Sequence, residues 1–120
     1  MSKGVKLTIK AQGVEEVLRK LGAKGAQEFA KEIDQIVEKH ALNIVNNARR
    51  NAPIDTGALK NSIDVYEEGE LYRVIGSDRP YAQRQEYEHK TKKGYFRKAL
   101  WNEREPFQKD VQDVIKRLDK

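Results

Sequence analysis

The residues of this chain whose types could do chemistry are two histidines, three serines, several carboxylate pairs and one cluster of cations. His40 stands four residues after Ile36 and four before Ile44, at the edge of an apolar helical stripe. That spacing predicts a packing histidine satisfied by a neighbour rather than a base or a ligand. His89 lies near Glu86 and Glu88, but such a cluster within one loop reproduces no metal-ligand spacing, so no metal is expected. Ser2, Ser62 and Ser77 all lack a nucleophile-elbow context. Gly22 and Gly25 complete no phosphate-cradling loop, and Glu15-Glu16 and Glu67-Glu68 read as solvated helix and turn residues. With no cysteine, thiolate chemistry and disulfides are excluded. Neither an enzyme nor a cofactor is expected.

Asp55-Thr56-Gly57 matches the tripeptide that carries the catalytic aspartate of aspartic proteases. Those enzymes set it among apolar strands, whereas a long helical pattern precedes it here, and the match is rejected. Lys90, Lys92, Lys93, Arg97 and Lys98 interleave with Tyr95 and Phe96, a mixture that suits phosphate contacts and base stacking. A small basic nucleic-acid-binding module is therefore the alternative reading. Against it stand Glu86 and Glu88 directly upstream, and the need for those aromatics in the core. The net charge of +5, from 24 basic and 19 acidic residues, permits such a partner without demanding one.

The elements that must position these residues follow from periodicity. At 120 residues the chain predicts one domain spanning 1–120, and 38% apolar residues allow only a thin core. An oligomer interface could supplement that core. Val5-Lys6-Leu7-Thr8-Ile9-Lys10 alternates strictly, predicting a half-buried strand. Val14, Val17, Leu18 and Leu21 trace a short helix ending at Gly22, and Gly22–Gly25 reads as a connection. Phe29, Ile33, Ile36, Val37, Ala41, Ile44, Val45 and Ala48 predict a long helix from about Ala26 to Asn51. Its last turn holds Arg49 and Arg50, where cations favour the helix dipole. Ile63–Tyr66 and Leu71–Ile75 predict a hairpin around Glu67-Glu68-Gly69-Glu70, closed by Gly76–Pro80. Tyr81–Tyr87 reads as a short helix or irregular segment, and Glu88–Gly94 as an exposed loop. Tyr95, Phe96, Ala99, Leu100 and Trp101 are the densest aromatic cluster. Pro106 suits the first turn of a final helix with Phe107, Val111, Val114, Ile115 and Leu118 as its stripe. No signal peptide and no membrane span is expected.

Between the helical and the strand-like halves lies Ala52-Pro53-Ile54-Asp55-Thr56-Gly57-Ala58-Leu59-Lys60-Asn61-Ser62-Ile63. Pro53 should stop the long helix by about Asn51. Asp55 or Thr56 can cap a new short turn, and Gly57 leaves room for a neighbouring backbone. Pro53, Asp55, Thr56, Gly57, Leu59 and Ser62 thus read as a structural corner. With its flanks, the run resembles the minor tail-component family of long-tailed, siphovirus-type phages, whose members are called tail-completion, neck or head–tail joining proteins. Tyr81, Ala82 and Glu86, then Phe96 and Ala99, match the family's later words. The family's glycine and proline-rich approach to the last helix is replaced here by Tyr87-Glu88-His89 and Gly94-Tyr95, so the role of that loop is not carried over.

The resemblance implies a virion protein at the head–tail junction, formed in the host cytoplasm, acting as a homo-oligomeric ring in the neck. Whether it is monomeric when free stays open. Its implied partners are the connector or head-completion protein and the tail-tube or tail-terminator protein, with DNA nearby. The fold expected is α+β, a long central helix packed on a small, mostly antiparallel sheet, with short N-terminal and C-terminal helices, the latter covering another edge. The expected partner contacts are Arg49, Arg50, Tyr81, Glu86, Lys90, Lys92 and Lys93, with the Val5–Lys10 edge strand as a further candidate.

Overall fold

Alternation in Val5–Lys10 produces strand β1, whose Leu7 and Ile9 turn inward while Lys6, Thr8 and Lys10 stay on the other face. The computed structural model describes residues 5–11, 13–52, 57–79, 82 and 94–118. β1 is followed by helix α1 (Val14–Lys20), then by the long helix α2 (Ala23–Asn51). Helix α3 (Ala58–Ser62), strands β2 (Asp64–Gly69) and β3 (Tyr72–Ser77), and helix α4 (Tyr95–Leu118) complete the order. The sheet runs β1-β3-β2 with both pairings antiparallel, so β1 and β2 are its two edges. The expected α+β architecture is what the chain adopts.

Every other element packs on α2, which makes it the spine. Phe29, Ile33, Val37, Ala41, Ile44, Val45 and Ala48 of the expected stripe are buried, joined by His40, while Ile36 lies at the margin. Each fully buried Phe, Ile or Val contributes about 1.5–3 kcal/mol relative to exposure. At 29 residues α2 is about 44 Å long. The molecule is drawn out along it, 51 × 23 × 19 Å with a radius of gyration of 16.5 Å. A compact chain of this length would have a radius of about 13.6 Å. A rod of two long helices explains the excess.

Three boundaries depart from expectation. Gly22 caps α2 directly, so the supposed connection at Gly22–Gly25 is mostly the helix's first turn. The hairpin is longer than predicted, because Glu67, Glu68 and Gly69 stay in β2 and only Glu70 and Leu71 turn. Tyr72 explains the extension, since its ring covers Gly69, where an added Cβ would lie 2.0 Å from Cε1. Leu71 takes a left-handed conformation (φ 68°) and its N–H donates to Asp34 on α2 at 3.0 Å. β3 then continues through Gly76 to Ser77, past the expected stop.

The largest departure concerns Pro106. It lies inside α4 rather than at its start, and α4 packs along α2 rather than over another edge of the sheet. The buried positions Phe96, Ala99, Val111 and Val114 straddle the proline, so packing on both sides holds the helix through it. Proline supplies no N–H for the Asn102 carbonyl, and both residues are exposed. Pro106→Ala is therefore expected to raise stability by about 1–2 kcal/mol, less than the full helix penalty of proline because water already serves that carbonyl. A urea unfolding midpoint measures it.

Candidate docking surfaces

The corner begins where α2 stops at Asn51. Ala52 is buried and extended (φ −67°, ψ 147°), the conformation required before Pro53. Pro53, Asp55 and Thr56 lie outside the described residues, as does the cap expected from Asp55 or Thr56. Gly57 opens α3 with φ 78°, and among the described residues an added Cβ would meet nothing within 4 Å. The glycine is needed for its backbone angle, and no described residue makes the close approach expected there. Gly57→Ala should cost about 1 kcal/mol through that angle alone, read as a lowered urea midpoint with an unchanged slope. Leu59 enters the core, and the Ser62 hydroxyl donates to the Leu59 carbonyl (2.7 Å) and pairs with the buried Ser77 hydroxyl at 2.5 Å. The two serines thus lash α3 to the end of β3.

Of the expected contact residues, Arg49 is engaged within the fold. Its Nε donates to the Ile63 carbonyl at 2.8 Å, and its guanidinium lies 3.9 Å from Asp64. Arg50 beside it is exposed, with no side-chain partner among the described residues. Tyr81, Glu86, Lys90, Lys92 and Lys93 lie outside the described residues, as does His89. The nucleic-acid reading loses its aromatic half. Tyr95 and Phe96 are 1% and 0% exposed, their rings 4.8 Å apart, with the Tyr95 hydroxyl donating to the Ala82 carbonyl at 3.0 Å. Neither can stack on a base. Within that aromatic cluster Trp101 is exposed instead, 68% accessible with Arg104 over its ring at 5.1 Å.

Two charged clusters are only half legible in the sequence. His40 is buried, as expected of a packing histidine, and its partners are both carboxylates of α4. Nδ1 meets Glu103 and Nε2 meets Asp110 at 2.7 Å, while Asn43 donates to Glu103 and Lys39 to Asp110. The hydrogen bond from His40 holds the Asp110 carboxyl below its ordinary value, with Lys39 adding to the effect and partial burial opposing it. Glu103 and Asp110 stand two turns apart on one face of a helix, a pairing that stays hidden while Pro106 reads as a helix start. The second cluster seats Arg73 of β3, buried on the same strand face as Ile75 and paired with Ile9 of β1, against Asp34 and Glu38 of α2. Its guanidinium donates to both Asp34 oxygens at 3.0 and 2.9 Å and to Glu38 at 3.0 Å. Those bonds hold Asp34 below the usual carboxylate range. Both clusters clamp other elements to α2. Among the described residues no group of three or more His, Cys, Asp or Glu could hold a metal ion.

A family model described as "Bacteriophage HK97-gp10, putative tail-component" matches residues 15–87. The match takes in α2, the corner and the whole hairpin, more than half of the chain. The chain belongs to that family. It is thus a structural tail-component protein of the HK97-gp10 type, a part of the virion that works among other virion proteins, and the resemblance carried by the central motif holds. β1 and α4 lie outside the matched span of this tail component. No curated protein and no solved structure matches the chain significantly. Among the described residues no helix is long and apolar enough to cross a membrane.

Proposed function

We propose that this tail component acts at the head–tail junction, as a neck or tail-completion protein that forms a homo-oligomeric ring. One side of the ring docks on the connector or head-completion protein, the other on the tail tube or its terminator. The observation that carries this reading is the family match across the long helix, the corner and the hairpin. The fold supports it in kind. The small sheet has two edges, and the two charged clusters, His40 with Glu103 and Asp110 and Arg73 with Asp34 and Glu38, hold helices and strands together. The role is architectural and not catalytic, with assembly taking place in the host cytoplasm.

The test is mass in solution by light scattering, for the protein alone and mixed with the connector and tail-tube proteins. A ring-sized species, either alone or appearing only with those partners, supports the role. A chain that stays monomeric with every neck component, yet shifts on adding DNA at low salt, overturns it in favour of a nucleic-acid module.

A further inference from the structure

The two edges of the sheet carry opposite charge. On β1, Lys6 and Lys10 are exposed, and on β2, Asp64, Glu67 and Glu68 are exposed. The register sorts them by face. Lys6 and Asp64 both pair with Gly76, and Thr8 and Glu67 both pair with Val74, so these residues share the face that points away from α2. Among the described residues no strand pairs with the outer side of either β1 or β2. Lysines on an edge strand ordinarily repel an added strand. Here they repel a second β1 but attract a β2.

The geometry points to a head-to-tail junction in which β1 of one copy pairs with β2 of the next, its lysines against the neighbour's carboxylates. This rests on the ring reading and supplies its contact. Two copies meeting β1 to β1 would oppose cations, and two meeting β2 to β2 would oppose carboxylates. The permitted pairing joins different surfaces, the heterologous kind of contact that generates a ring when its rotation closes. β1 and β2 both run antiparallel to β3, hence parallel to each other. A rotation about an axis along the strands keeps that direction, so the junction is a parallel pair that continues the sheet around the ring.

Apolar surface lies at the same edges. Of the three exposed large hydrophobic residues among those described, Tyr66 sits at the bulge of β2 and Trp101 borders β1. Between β1 and α4 lies a cleft of about 900 Å3, with Thr8 and Lys10 on one wall and Leu100, Trp101 and Arg104 on the other. An incoming β2 would bring Tyr66 alongside this cleft. Aromatic and arginine side chains of this kind are the residues on which interfaces most depend.

Two charge-reversed proteins test the junction, one carrying Lys6→Glu with Lys10→Glu, the other Asp64→Lys with Glu67→Lys. Each alone should raise the concentration needed for assembly at least about tenfold, because like charges then face across every junction. An equimolar mixture should recover the wild-type assembly, since each variant's β1 complements the other's β2. Thermal melts by circular dichroism confirm that each is folded. Should the lysine replacements at β2 impair folding, Asp64→Asn with Glu67→Gln provides the weaker form of the same test. Wild-type rings indifferent to both reversals, or reversed proteins that fail to complement, overturn the junction and leave the ring. A wild-type chain that never assembles, even with neck partners, removes ring and junction together.

Discussion

Asp34→Asn combined with Glu38→Gln is expected to lower stability by about 2–4 kcal/mol. The substitutions preserve shape and remove only the charges that face Arg73. Its guanidinium side chain is 6% exposed and would be left with the Gly69 and Tyr72 carbonyls as its partners. Stripping the partners from a buried charge costs about 3–5 kcal/mol, discounted here because both carboxylate side chains are 35% exposed and water reaches the site. Arg73→Met should cost much less, about 0–2 kcal/mol, since it removes the buried charge and leaves two carboxylates that water can serve. Urea midpoints of the three proteins decide the order. A pH series gives a second reading. The Asp34 carboxyl is held below its ordinary 3.8, chiefly by the hydrogen bonds from Arg73. Its contribution is therefore complete above 3.8 and lost as pH falls through the lower folded value. The double variant should lack that part of the acid loss.

Arg73 also shows why the sequence reveals register better than partners. Leu71, Arg73 and Ile75 stand at two-residue spacing, which places Arg73 on the inner face of a strand although it is charged. Its acidic partners sit far upstream on α2, and periodicity does not connect them. The long helix is legible because apolar residues repeat at three and four over its length, and Pro53 marks its end in plain letters. The hairpin turn is harder to place because glutamates and glycine favour turns locally, whereas pairing with β3 and the Tyr72 ring keep Glu67–Gly69 extended. Tertiary packing overrules local preference.

α4 is obscured in the same way. Proline reads as a helix start, and only the helix packed beneath it shows that the residues from Tyr95 to Glu105 belong to the same element. Once α4 is continuous, Phe96 is a core residue and Trp101 an exposed one, which separates two aromatics that look equivalent in sequence. Of the proposed docking surface, one edge strand is legible in the sequence. Its complement on β2 is not, because the strand order that makes β2 the opposite edge is a property of the fold.

His40→Ala is expected to destabilise the protein by about 2–4 kcal/mol, by loosening the packing of α4 on α2. Both ring nitrogens face carboxylate oxygens, and hydrogen bonds to charged groups are worth about 1.5–3 kcal/mol each. The ring also meets Phe107 edge to face at 5.4 Å, and truncation to alanine would replace that packing with a cavity. Lys39 and Asn43 remain beside the orphaned carboxylates, which keeps the total below the sum of the parts. If the carboxylates act through His40, then Glu103→Gln and Asp110→Asn should cost markedly less in the His40→Ala background than in the wild type. Additive losses would instead show His40 to be a space-filler. The same cluster reaches the proposed assembly surface, since His40 and Glu103 border the cleft that Trp101 and β1 enclose. A loosened α4 should therefore weaken self-association at protein concentrations where His40→Ala is still fully folded, whereas the Asp34 and Glu38 substitutions, at residues that do not line that cleft, should lower stability without this effect.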